Sequence, residues 1–171
     1  MGAVEQRMFV PDAQPLGPGE VYMPRLARHV LPQEAPIHLV RFAGRFRSVF
    51  NSELNVPKRF NLEEQFGSLA DHLHVNARDP ATETWRFQRF APAWSARLGQ
   101  DLSGESVSHP RYAPYNTRLE DMLRQAVQRE MPFYAATHVK GPHGGELVHR
   151  LLIPMSTSDR VMTHCLVFTF A

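Results

Sequence analysis

The sequence predicts an α+β domain, a mixed antiparallel sheet with helices on one face, preceded by an N-terminal helical extension. Three observations point there. A long amphipathic helix opens at Thr117-Arg118-Leu119-Glu120, where Thr and Glu stand at capping-box spacing. Three strand-like segments follow it, joined by connectors rich in turn residues. One alternating segment, Trp85 to Phe90, stands alone before it. A lone strand, a long helix and three successive strands together make a segregated sheet-and-helix architecture.

Residues 1–20 hold Pro11, Pro15 and Pro18 with few large apolar side chains after Phe9, which suits an extended arm. Val21 to Val30 has room for a short helix bounded by Pro32 and Pro36. Ile37 to Leu54 is more periodic. Leu39, Phe42, Ala43, Phe46, Val49, Phe50 and Leu54 recur at three- and four-residue steps and form one apolar stripe. That stripe needs cover, from its own sheet or from a second copy, because large apolar side chains left in water mark an interface. Asn61 to Leu73 reads as the next helix, with Asn61 as N-cap, Glu64 at capping-box spacing, and Leu62, Phe66, Leu69 and Leu73 on one face. Asp79-Pro80 then breaks the chain before the Trp85–Phe90 strand, and Pro92 ends that strand for want of a ladder donor.

The central helix runs from Thr117 to Glu130, burying Leu119, Met122, Leu123, Ala126 and Val127, with Glu120 and Arg124 paired one turn apart. Phe133 to Lys140 and Glu146 to Met155 flank Gly141-Pro142-His143-Gly144-Gly145, and Val161 to Phe170 closes the chain. The organisation expected is an arm and helical extension over residues 1–60 and a domain over residues 61–171.

With 171 residues, 43% hydrophobic and 11 of them Phe, the chain can bury a core without staples. Its longest uncharged apolar stretch, Val161 to Ala171, falls short of the ~18 residues a membrane span needs, so no span is expected. The opening residues lack the basic-then-apolar layout of a signal peptide, and the single Cys165 suits a reducing interior, so a cytoplasmic place is expected. Net charge is +2 with no block of like charge, so no nucleic-acid partner is expected. There is no phosphate loop, no dinucleotide fingerprint, no His-Glu-x-x-His and no Cys-x-x-Cys, and the nine His show no helical i, i+4 pair. Neither a metal nor a nucleophile motif can be assigned.

Two stretches carry more. Leu98-Gly99-Gln100-Asp101-Leu102-Ser103-Gly104 follows the lone strand, and His149-Arg150-Leu151-Leu152-Ile153-Pro154-Met155-Ser156 ends a late one. Asp101 is suited to accept from backbone amides one to three residues on, with Gly99 and Gly104 holding a tight connection. This pair of elements resembles a family of small bacterial PAS-type sensor domains. In that family a first strand leads to a GxDLTG-like turn, and a late strand ends in an Arg-x-x-x-Pro-Leu-Ser-like element. The resemblance covers roughly residues 61 to 171. It departs at Arg89-Phe90-Ala91-Pro92-Ala93, where the family carries an Arg-x-x-Gly-Thr-like segment, so the local turn must differ.

The resemblance implies a non-enzymatic sensory or adaptor domain in bacterial signalling, binding an unknown small ligand, a signalling protein partner, or both. Flanking helices in the family often mediate homodimers. It also implies a cavity between the central helix and the late strands. Tyr115, Leu119 and Leu123 are the expected lining on the helix side. Strand alternation adds Tyr134, Ala136 and His138; His149, Leu151 and Ile153; and His164, Leu166 and Phe168. Haem is not supported, since Asn116 to Glu130 holds no His where the family places its axial ligand. Flavin photochemistry is not supported either, because Cys165 lies on the last strand. The competing class is a small-molecule enzyme on a similar cone-shaped α+β fold, using His138, His149 or His164 beside a carboxylate.

Overall fold

The computed structural model describes residues 35–50, 62–79, 81–116, 118–129, 132–141, 144–156 and 162–171. The N-terminal arm, the Val21–Val30 helix and the two helix caps expected at Asn61 and Thr117 lie outside the described residues. So does the connector between the last two strands.

Helix α1 (Ile37–Phe50) and the short α2 (Leu62–Phe66) lead through a 3-10 segment (Gly67–His72) into β1 (Leu73–Arg78) and β2 (Trp85–Arg89). Helix α3 (Pro92–Leu98), a 3-10 turn (Pro110–Tyr112) and α4 (Leu119–Arg129) follow, and β3 (Phe133–Gly141), β4 (Gly144–Ser156) and β5 (Met162–Phe170) end the chain. The strands form one five-stranded sheet in the order β2-β1-β5-β4-β3, with every neighbouring pair antiparallel. The fold is α+β, as the sequence predicts, and the three late strands are contiguous.

Helices cover both faces of this sheet. On one side Leu39, Phe42, Ala43 and Phe46 of α1 are buried against Leu73, Leu151, Ile153, Leu166 and Phe168. Phe42 stacks on Phe168 at 4.7 Å and meets the tilted ring of Phe66 at 4.9 Å. The described part of the α1 stripe, Leu39 to Phe46, is therefore covered by the chain's own sheet. On the other side α4 buries Leu119, Met122, Leu123, Ala126 and Val127, the face its periodicity predicts, against Ala135, Val139, Val148, Leu152, Cys165 and Val167.

Three local expectations are corrected. The helix expected to run to Leu73 ends at Phe66, and Leu73 opens β1 instead. β1 alternates apolar and polar residues from Leu73 to Arg78, and its polar positions His74 and Asn76 are buried rather than solvated. Pro92 does follow a strand end, but it also starts α3, where a missing N–H costs nothing and a preset φ helps. Gly99 closes α3 in the left-handed region at φ 69°, the usual glycine stop. Arg124 pairs with Asp121 at 3.0 Å rather than with Glu120, whose carboxylate accepts from the Ser108 hydroxyl.

The Leu98–Gly104 stretch ties these pieces together. Asp101 Oδ1 accepts from the Ser103 N–H at 2.9 Å and from its hydroxyl at 2.7 Å, while Ser103 Oγ accepts from Phe90 N–H at 3.0 Å. Gly104, at φ 85°, then donates to Phe87 O, and residues 104–107 lie along β2, covering that edge of the sheet. Pro154 is tolerated inside β4 because its described pairing with β3 ends at Leu152, leaving Pro154 paired with β5 alone.

Candidate functional site

The sheet divides the residues that strand alternation nominated. Tyr115, Leu119 and Leu123 lie in the core under α4. Tyr134, Ala136, Leu151, Ile153, Leu166 and Phe168 lie on the opposite face, packed with α1 and α2. His138 is exposed. His149 is half-buried with Nδ1 2.7 Å from the Tyr134 hydroxyl, and burial lowers its pKa. His164 is half-buried and shifted the same way by the same cause. These twelve residues therefore do not line one cavity. The alternation that faces α4 is the complementary one, and it contains the polar residues.

On that face β1 supplies His74 and Asn76, β4 supplies Arg150 and β5 supplies Thr169, each at most 1% exposed. Arg150 and Thr169 are direct cross-strand partners, so their side chains start as neighbours. Thr169 lies one residue beyond the last β1–β5 pair, Leu73 with Phe168, and Trp94 Nε1 donates to its carbonyl at 3.1 Å. Above them Tyr112, Tyr115, Trp94, Phe87 and Phe90 close the core, and all are buried.

His74 is held by a backbone contact and by aromatic rings. Its Nδ1 accepts from the Ala91 N–H at 3.1 Å, so the proton of the neutral ring resides on Nε2. Ring centroids of Phe90, Phe87, Tyr112 and Trp94 stand 4.8, 5.4, 6.0 and 6.2 Å away. Burial, then the charges of Arg150, Arg89 and His72, push its pKa well below the usual histidine value. Arg150 donates from one terminal nitrogen to the carbonyl of Tyr115. Its Nε and Nη1 have no protein partner, and neither do His74 Nε2, Tyr112 OH, Thr169 Oγ1 or the side-chain amide of Asn76. Among the described residues no carboxylate is buried beside Arg150.

A surface groove of about 290 Å³ lies behind Trp94, lined by His72, Ala93, Trp94, Arg97, Phe170 and Ala171. Arg97 lies over the Trp94 and Tyr115 rings at 5.2 and 5.4 Å, donates to the Tyr115 hydroxyl at 3.3 Å and pairs with Glu146. Trp94 therefore stands between the groove and the buried polar group.

The sequence marks Arg150 only as part of a fold-marking element, whereas the structure places its guanidinium inside the core. The available signal was a charged residue on the same alternation as Val148 and Leu152 in an otherwise apolar strand. Cys165, also on this face, is fully buried and its thiol pKa is pushed up by that burial, which makes it an inert packing residue. Among the described residues no group of His, Cys, Asp and Glu is placed to hold a metal ion, and no helix is long and apolar enough to cross a membrane. No protein-family model matches the chain, and no curated protein matches it.

Proposed function

We propose that this chain is a PAS-like sensory or adaptor domain that binds a small molecule between its sheet and the α3–α4 side and passes the signal on through protein contacts. One observation carries the reading. A set of fully buried polar side chains without protein partners lies beneath the central helix, and folded proteins rarely leave such groups unsatisfied unless they serve another purpose. The three contiguous late strands support it too, since the resemblance implies them, while two paired early strands stand where one was expected. The reading includes a cytoplasmic setting, a signalling partner and a homodimer.

Native mass spectrometry on freshly purified full-length chain tests this. The expected result is a small-molecule adduct released on denaturation, on a dimer that dissociates reversibly. A bare chain with neither adduct nor partner, at every concentration tried, would overturn the proposal.

A further inference from the structure

The unpartnered atoms under α3 and α4 share one chemical character. Arg150 Nε and Nη1 are donors, His74 Nε2 carries the ring proton because Nδ1 already accepts from Ala91, and the Thr169 and Tyr112 hydroxyls can each donate. The Asn76 carbonyl and the two hydroxyls can also accept, so only Arg150 and His74 Nε2 are donors alone. A buried guanidinium beside Thr169, with no buried carboxylate among the described residues, is strongly disfavoured in an apolar interior. An acceptor-only, negatively charged group removes both penalties, because a carboxylate takes charge-assisted bonds from several donors at once. The surroundings add a second requirement. The aromatic rings of Phe87, Phe90, Trp94 and Tyr112 around His74 suit an apolar body rather than a bare inorganic ion. Trp94 separates this cluster from the outer groove, with Arg97 over its ring, so displacing the Trp94 side chain would open the cluster toward that groove.

We infer that Arg150, His74 and Thr169 form the carboxylate-binding end of the ligand site, and that the ligand is a small organic acid with an aromatic or short aliphatic tail. The inference rests on the sensory reading above and names the chemistry of its ligand.

Calorimetric titration of full-length chain, refolded from urea to strip any bound molecule, separates the two. Benzoate and hexanoate are expected to bind, and benzamide and hexanamide to bind at least about tenfold more weakly. Arg150→Met is expected to fold and to lose the acids' affinity by about tenfold or more. Thr169→Val, which keeps shape and removes one hydroxyl, should weaken the acids in the same direction and carries the test if Arg150→Met does not fold. Amides binding as well as acids would overturn the acid class while leaving a ligand site. Phosphate or chloride binding in place of the organic acids would overturn the tail. If nothing titrates yet native mass spectrometry shows an adduct, this inference alone falls; if neither method finds a ligand, it falls together with the sensory reading.

Discussion

His74 and Asp101 show how single residues are pinned by what surrounds them. In the folded chain His74 is kept neutral by burial and by the nearby Arg150, Arg89 and His72, whereas in the unfolded chain it protonates below its ordinary value of 6.5. The unfolded state thus binds the extra proton. Stability from this group is complete above about pH 6.5 and falls as the pH drops below it, with a limiting slope of about 1.4 kcal/mol per pH unit for one proton. His72, His149 and His164 are shifted the same way, so the effects add. Urea denaturation between pH 7 and pH 5 should show stability falling, and His74→Asn, which retains an acceptor for the Ala91 N–H, should flatten the fall. An unchanged slope in that variant would mean that His74 is not held neutral. Asp101 acts through local bonds, accepting from the Ser103 amide and hydroxyl in the turn after α3. Asp101→Ala should cost about 1 kcal/mol in thermal or urea denaturation and leave ligand affinity unchanged. Lost affinity at full stability would place Asp101 in the site instead.

At the scale of elements, packing decides more than propensity. Helix α1 contains Gly44 and the β-branched Val40, yet Leu39, Phe42 and Phe46 bury one side of it against β5 and α2. Phe42 is fully buried between Phe66 and Phe168, so Phe42→Ala should cost about 3–5 kcal/mol. A loss below about 1 kcal/mol by urea denaturation would show that α1 is not docked in solution. Deleting residues 1–60 removes the same cover and bares Leu151, Ile153, Leu166 and Phe168. Such a truncation should aggregate. If it stays soluble with unchanged melting, α1 contributes nothing to that face.

Over the whole molecule, what was legible and what was not follows from the same cause. The α4 stripe could be read because its apolar residues keep the helical period, and the three late strands because turn residues bound their apolar runs. The choice of sheet face could not. Helices cover both sides, so β4 and β5 are apolar on both alternations and neither side is marked as inner. Polar residues do not mark it either, since His74, Asn76, Arg150 and Thr169 on the α4-facing side are matched by His149 and His164 on the other. Helix α3 was hidden for a different reason, since Pro92 reads equally well as a strand stop and as a first helical residue.

On the proposed ligand-site reading, Arg150 serves binding and not stability. Urea denaturation of Arg150→Met beside wild type, both refolded to strip any bound molecule, tests it most directly. An uncompensated buried charge exchanged for an apolar side chain of similar length should leave stability unchanged or raise it, by up to about 4 kcal/mol, despite the lost bond to the Tyr115 carbonyl. A loss of about 3–5 kcal/mol, the cost of breaking a compensated buried pair, would contradict the account and make Arg150 a structural residue.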